Sequence, residues 1–292
     1  MLRRHSTVIA AAAAVSCLAL LSATSAEGAA RAPWATPRAG STYSLALRLP
    51  GPAAESGHPR EPVVGCEPKL ERARRQPADG HGVPAVAIVG ASFTAGVGPG
   101  NPGKSWAVVL ARLLHWDAVI YGDPGAGYVR AGVGRKGPVV AEIARIDLRA
   151  LAPALVIVQA GHDDIGVRLG LERWRVEQAV ASIHAELPRA QIALLTVFAG
   201  RAPSAAAYRT DQAIVTAGRA ADRNVIIMDP LAAGWTFPRS HDGLHPTAPG
   251  SAWIARTVAG ILREHGVRPV PQPDAAGVII CDWSIPAPAP PR

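Results

Sequence analysis

A chain of 292 residues with 49% apolar content is long enough to bury one sizeable core, and its 27 prolines collect towards the two ends, which predicts one domain with loose flanks. The formal charge of +8 is scattered rather than bunched. With neither a concentrated basic face nor a reader motif, nucleic-acid binding is not expected, and the charge implies only attraction to anionic surfaces such as an acidic envelope.

Residues 1–26 carry Arg3 and Arg4, then a mostly alanine apolar stretch over 8–21, then Ala-Thr-Ser-Ala. This order reads as a secretory signal peptide cut after about Ala26, and the stretch is too short for a membrane span. The protein is therefore expected to be secreted or associated with the cell envelope, without a stable membrane span once the signal is removed. A lipoprotein reading would modify Cys17, but Ala14 is a poor start for such a box. Removal of the leader leaves Cys66 and Cys281, an even count that suggests one disulfide between the two flanks. A loop that long would contribute at most roughly 4 to 5 kcal/mol, and two free thiols are the alternative. Residues 27–82 read as an irregular flank with one possible strand at 43–49.

The core domain is expected over 83–265, followed by a C-terminal flank at 266–292 with a Pro-rich tail. A short apolar run closed by Gly90 reads as a buried strand, with Ser92 just beyond its carboxyl end. Helical spacing follows over 105–115, then a strand at 118–121 ending in Gly-Asp-Pro-Gly-Ala-Gly, and a helix at 139–146. A third strand at 154–159 runs into Gly161-His162-Asp163-Asp164. Apolar residues at 176, 180, 183 and 187 place one core face on a helix at 171–187. A strand at 191–198, a helix at 205–221, a strand at 225–228 and a last helix capped by Thr247 complete the pattern. Strands alternating with helices predict a three-layer α/β/α fold around a parallel sheet of about five strands.

Ligands in such sheets bind at the carboxyl ends of the strands. Four sequence features fall there: Ser92, the glycines at 125 and 127, the 161–164 block, and Asp242-Gly-Leu-His245 ahead of the last helix. A serine hydroxyl is a weak nucleophile until a base takes its proton, and that base needs a third group to fix its tautomer. An aspartate three residues before a histidine can supply both from one loop.

Taken together, Gly90-Ala91-Ser92-Phe93-Thr94, Pro124-Gly125-Ala126-Gly127, Gly161-His162-Asp163-Asp164 and Asp242-Gly-Leu-His245 resemble the four blocks of the SGNH hydrolase superfamily, the GDSL esterases and lipases, in the family's order. The resemblance implies a flavodoxin-like sheet and a serine esterase that needs no cofactor. In that reading Ser92 attacks an ester carbonyl, His245 takes and returns the proton, and Asp242 orients His245. The oxyanion would be held by the N–H groups of Ser92 and Gly125, with Gly127 the alternative, and by the side chain at 163. It further implies a small-molecule or envelope ester as substrate, and a monomer.

Position 163 departs from the family, which has asparagine there, because an ionised aspartate accepts hydrogen bonds and donates none. Three outcomes follow: burial protonates Asp163, His162 takes over the donation, or the enzyme is slow or inactive.

Three rivals arise from the same sequence. Gly98 to Ser105 fits a phosphate-loop pattern with Asp229 closing a later strand, but about eight residues separate Val89 from Gly98, where such a loop should follow its strand directly. A metal site would draw on His162, Asp163, Asp164, Asp242 and His245, although three contiguous residues cannot all turn to one point. The third rival is an envelope or carbohydrate-binding protein that kept the fold and lost the chemistry. Trp106 and Trp253 are expected in the core, His115, His184 and His265 at the surface or at helix ends, and Asp164 in a loop-holding role.

Overall fold

The computed structural model describes residues 63–64, 85–133, 137–269 and 277–281. The leader, the possible strand at 43–49, Cys66 and the Pro-rich tail lie outside the described residues. Strand β1 (Val63–Val64) precedes β2 (Ala85–Gly90), a four-residue helix α1 (Ser92–Ala95), helix α2 (Trp106–Leu114) and β3 (Asp117–Gly122). Helices α3 (Val139–Arg145) and α4 (Leu148–Leu151) lead to β4 (Leu155–Gln159), α5 (Leu169–Glu186) and β5 (Gln191–Leu195). The chain then forms α6 (Ala205–Ala221), β6 (Ile226–Met228), α7 (Ala248–Glu264) and β7 (Val278–Cys281).

All strand pairs are parallel, in the order β1-β7-β3-β2-β4-β5-β6. The five central strands, β3-β2-β4-β5-β6, follow the flavodoxin-like order, reversing direction beside β2. The apolar runs of the sequence became strands because both faces of this sheet are covered. Val86, Ile88, Ile120 and Ile157 pack on one face with Trp106 and Leu110 of α2 and Ile254 and Val258 of α7. On the other, Ala87, Val89, Val119 and Val158 pack with Ile143 of α3, Val176 and Ile183 of α5 and Ile214 of α6. Ile157 is fully buried among these layers; truncating such a side chain to alanine costs about 2 to 5 kcal/mol.

Among the described residues the sheet has seven strands, two more than the five expected. Val278–Cys281, in the segment read as C-terminal flank, pairs along β3 from Ala118↔Val278 to Tyr121↔Cys281, and Val63–Val64 from the N-terminal flank pairs outside it. Short apolar runs surrounded by proline-rich sequence gave no periodic signal, and only the exposed edge of β3 gives them a place. The predicted helices fall within two residues of those observed, Trp106 is fully buried, and Thr247 caps α7 by accepting from the Gly250 N–H. Among the described residues no helix is long and apolar enough to cross a membrane.

Candidate active site

Ser92 is the first residue of α1, two residues beyond the end of β2, and is buried. The Ala91 N–H donates to the Gln159 carbonyl, tying the turn to β4. The Ser92 N–H heads a helix whose first donors have no intrahelical acceptor, so it is available to an anion.

His245 comes from the loop between β6 and α7, 153 residues away. That loop is closed at its base by an antiparallel bridge between Arg239 and Pro246 and by the Ser240 N–H donating to the His245 carbonyl at 2.8 Å. One Asp242 oxygen accepts from the Ser240 hydroxyl (2.8 Å), the Leu244 N–H (2.9 Å) and the His245 N–H (3.0 Å). Its other oxygen lies 2.6 Å from His245 Nδ1, and His245 Nε2 lies 2.8 Å from Ser92 Oγ. Burial would raise the Asp242 carboxyl, but the His245 ring and these three donors outweigh it and hold the group well below the usual carboxylate range. An ionised Asp242 keeps the proton on Nδ1, which leaves Nε2 free to accept the serine proton.

Two contacts hold the ring in place. The His245 ring lies 5.3 Å from Phe93, which stacks on Phe198 at 4.2 Å. Behind it, Gly98 packs so closely that an added Cβ would stand 2.0 Å from the Pro246 carbonyl and 2.8 Å from His245 Cβ. The glycine that began the phosphate-loop pattern thus serves as backing for the histidine loop. Asn101 accepts from the Gly103 N–H and Ser105 caps α2, so the rest of that pattern is also engaged locally.

The two candidate glycines differ in what their N–H groups do. Gly127 donates to the Arg130 carbonyl at 2.9 Å, whereas Gly125 is half-buried and its N–H has no acceptor among the described residues. Gly127 is required for close approach, since a Cβ there would fall 2.2 Å from the Asp164 carboxylate. Asp164, fully buried, accepts from the N–H groups of Tyr128 (2.5 Å), Val129 (3.2 Å) and Arg130 (2.9 Å) and so shapes the loop. Beneath it, burial and then the charge of Asp164 push the Glu172 carboxyl up to about 9, so Glu172 is neutral at physiological pH.

Asp163 is half-buried, and its Oδ2 is buried with no hydrogen-bond partner among the described residues. Burial pushes its carboxyl above the usual range and Asp164 adds to this, while His162 and His245 pull part of the way back. His162 donates through Nδ1 to the Phe198 carbonyl at 2.7 Å, so a neutral His162 presents Nε2 as an acceptor. Among the described residues no three His, Cys, Asp or Glu side chains gather as a metal site would require.

The profile of the GDSL-like lipase/acylhydrolase family matches residues 88–253. The chain belongs to this family. As a GDSL-type protein it is an ester hydrolase on a three-layer α/β/α frame, and the matched region spans Ser92, Gly125, Asp163, Asp242 and His245. Among solved structures it is similar to a carbohydrate esterase family 2 enzyme with a carbohydrate-binding domain from Corynascus thermopiles (Myceliophthora fergusii), at 20% identity over 65% of this chain and 68% of that one, with a TM-score of 0.53. A family two carbohydrate esterase from Cellvibrio japonicus aligns at 16% identity over 65% of this chain and 64% of that one, with a TM-score of 0.51. At these identities the likeness is one of fold. No curated protein is similar enough to the chain to match it.

Sequence reading missed the supporting residues of this GDSL-type site: Ser240, the Phe93–Phe198 stack, and Gly98 as a spacer. Only the spacing Ser240-x-Asp242 could have hinted at the first. The others depend on contacts between distant loops.

Proposed function

We propose that the protein is an exported serine esterase that cleaves small carboxylic esters through an acyl-enzyme. The observation that carries this reading is the unbroken relay from Ser92 Oγ to His245 Nε2 at 2.8 Å and from His245 Nδ1 to Asp242 at 2.6 Å. His245 takes the serine proton as Oγ attacks the carbonyl, and Asp242 stabilises the imidazolium that forms. The imidazolium gives its proton to the departing alcohol, and water repeats the sequence on the acyl-enzyme. The oxyanion is held by the N–H groups of Ser92 and Gly125, the latter favoured over Gly127 because it is uncommitted. Burial favours the protonated form of Asp163, the form that can donate through its O–H.

Export rests on the leader read in residues 1–26. A disulfide between Cys66 and Cys281, the two cysteines left once the leader is removed, belongs to the same reading. Nitrophenyl esters of rising acyl length, with Ser92→Ala as control, test the reading and report acyl preference together. Turnover that disappears in Ser92→Ala is expected. Equal, slow hydrolysis by both proteins would favour the binding-protein reading that Asp163 raises.

A further inference from the structure

The loops after β5 and β6 enclose a cavity of about 490 Å³, within the usual size of a small-molecule site. Phe198, Trp235 and Phe237 line it, Tyr208 stands half-exposed at its rim, and Arg201 and Arg239 contribute to its wall. The Arg239 guanidinium lies 4.1 Å above the centre of the Phe237 ring, and its Nη1 is buried with no hydrogen-bond partner among the described residues. Burial, and then the charge of Arg201, lowers the Arg239 pKa, so the two cations share one environment. Neither belongs to the ion pairs formed among the described residues. The nearest carboxylate in sequence, Asp242, is committed to His245 and to three donors.

Two guanidinium groups on the wall of one cavity repel each other, and Nη1 of Arg239 lacks a hydrogen-bond partner among the described residues. An oxyanion relieves both costs, because carboxylate and phosphate match the guanidinium fork. The aromatic walls suit the apolar or ring face of the molecule that bears it.

No relay residue lines the cavity, but two of its lining residues touch neighbours of the relay. Phe198 stacks on Phe93, the neighbour of Ser92, and Arg239 is bridged to Pro246, the neighbour of His245. On the other side Gly200 approaches the catalytic loop, where an added Cβ would lie 3.8 Å from the Gly243 carbonyl.

We infer that this cavity is a substrate subsite for an oxyanion, a carboxylate or phosphate carried by the ester substrate a few bonds from its scissile carbonyl. The inference deepens the esterase reading and rests on it for the word substrate, but binding can be measured without turnover. Calorimetric titration of Ser92→Ala with glucuronate, glucose 6-phosphate and glucose provides the test, the first two probes separating carboxylate from phosphate. At least one anion is expected to saturate the protein and to bind about tenfold or more tighter than glucose. Arg201→Gln, at an exposed position, and Arg239→Gln should each remove that preference. Equal binding of glucose, no binding of either anion, or arginine variants that keep the preference would overturn it.

A second readout is the ratio of kcat/KM for 4-nitrophenyl hemiglutarate to that for 4-nitrophenyl butyrate, expected to fall about tenfold in Arg201→Gln. An unchanged ratio counts against the subsite. If wild type hydrolyses neither ester while the anions still bind, the esterase reading fails and the anion site stands.

Discussion

In the proposed mechanism, replacing Asp163 by asparagine exchanges a donor that depends on a retained proton for one that does not. Oδ2 of Asp163 is buried without a partner among the described residues, and burial raises the group beside His162, Asp164 and His245. The raised pKa means that the donor form persists above the ordinary carboxylate range and is lost as pH climbs through the shifted value. One oxyanion donor is worth about 100 to 1,000-fold in kcat, roughly 3 to 4 kcal/mol of transition-state stabilisation. An ionised Asp163 would forfeit that and also set a negative charge against the oxyanion. Asp163→Asn should therefore match or exceed wild type at neutral pH, with an advantage that widens as pH rises. The assay is kcat on 4-nitrophenyl acetate from roughly pH 5 to 9, with Asp163→Ala as the variant that lacks any donor. A fall of about tenfold or more in Asp163→Asn across the whole range, or wild-type and variant profiles of the same shape, would refute the reasoning.

Gly98→Ala places a methyl group 2.0 Å from the Pro246 carbonyl and 2.8 Å from His245 Cβ, so the histidine loop must move. A displacement near 1 Å costs about 100-fold in rate, and steady-state kinetics should show it in kcat, with the thermal transition changed far less. Asp211, buried on α6, accepts from the Val197 N–H just beyond β5, and burial followed by the charge of Asp229 pushes its carboxyl up to about 6 from the ordinary aspartate value. The folded state then holds the proton more tightly than the unfolded chain, so this group costs stability progressively as pH rises from about 4 to 6 and fully above that. Asp211→Asn should raise stability by up to about 3 kcal/mol at neutral pH and by nearly nothing at pH 4 or below, as measured by urea unfolding at the two pH values.

The five central strands were readable because each is a short apolar run bounded by glycine or proline, a pattern that a sheet covered on both faces requires. Helix positions were readable from apolar spacing, and the cap at Thr247 from its side chain. Ser92, Asp242 and His245 stood out only as members of an ordered set of blocks, since a serine after a strand is ordinary by itself. The choice between Gly125 and Gly127 was not readable, because it depends on a carbonyl at Arg130 turning back onto one of them. Arg201 and Arg239 also gave no signal, as two loops far apart in sequence bring them to one cavity. Val278–Cys281 was passed over because four residues have no periodicity and their pairing partner lies some 160 positions earlier.

That final strand ties the far end of the chain to the chemistry. The Ala118 N–H donates to the Gly277 carbonyl at 2.8 Å and the Gly277 N–H to Asp117 at 2.6 Å, clamping the strand whose outlet carries Gly125. A protein shortened after α7 would keep every residue of the relay yet leave β3 with a bare flank, open to pairing with another molecule. The segment that looks most dispensable thus steadies the turn opposite Ser92, and trimming the tail should stop short of Cys281.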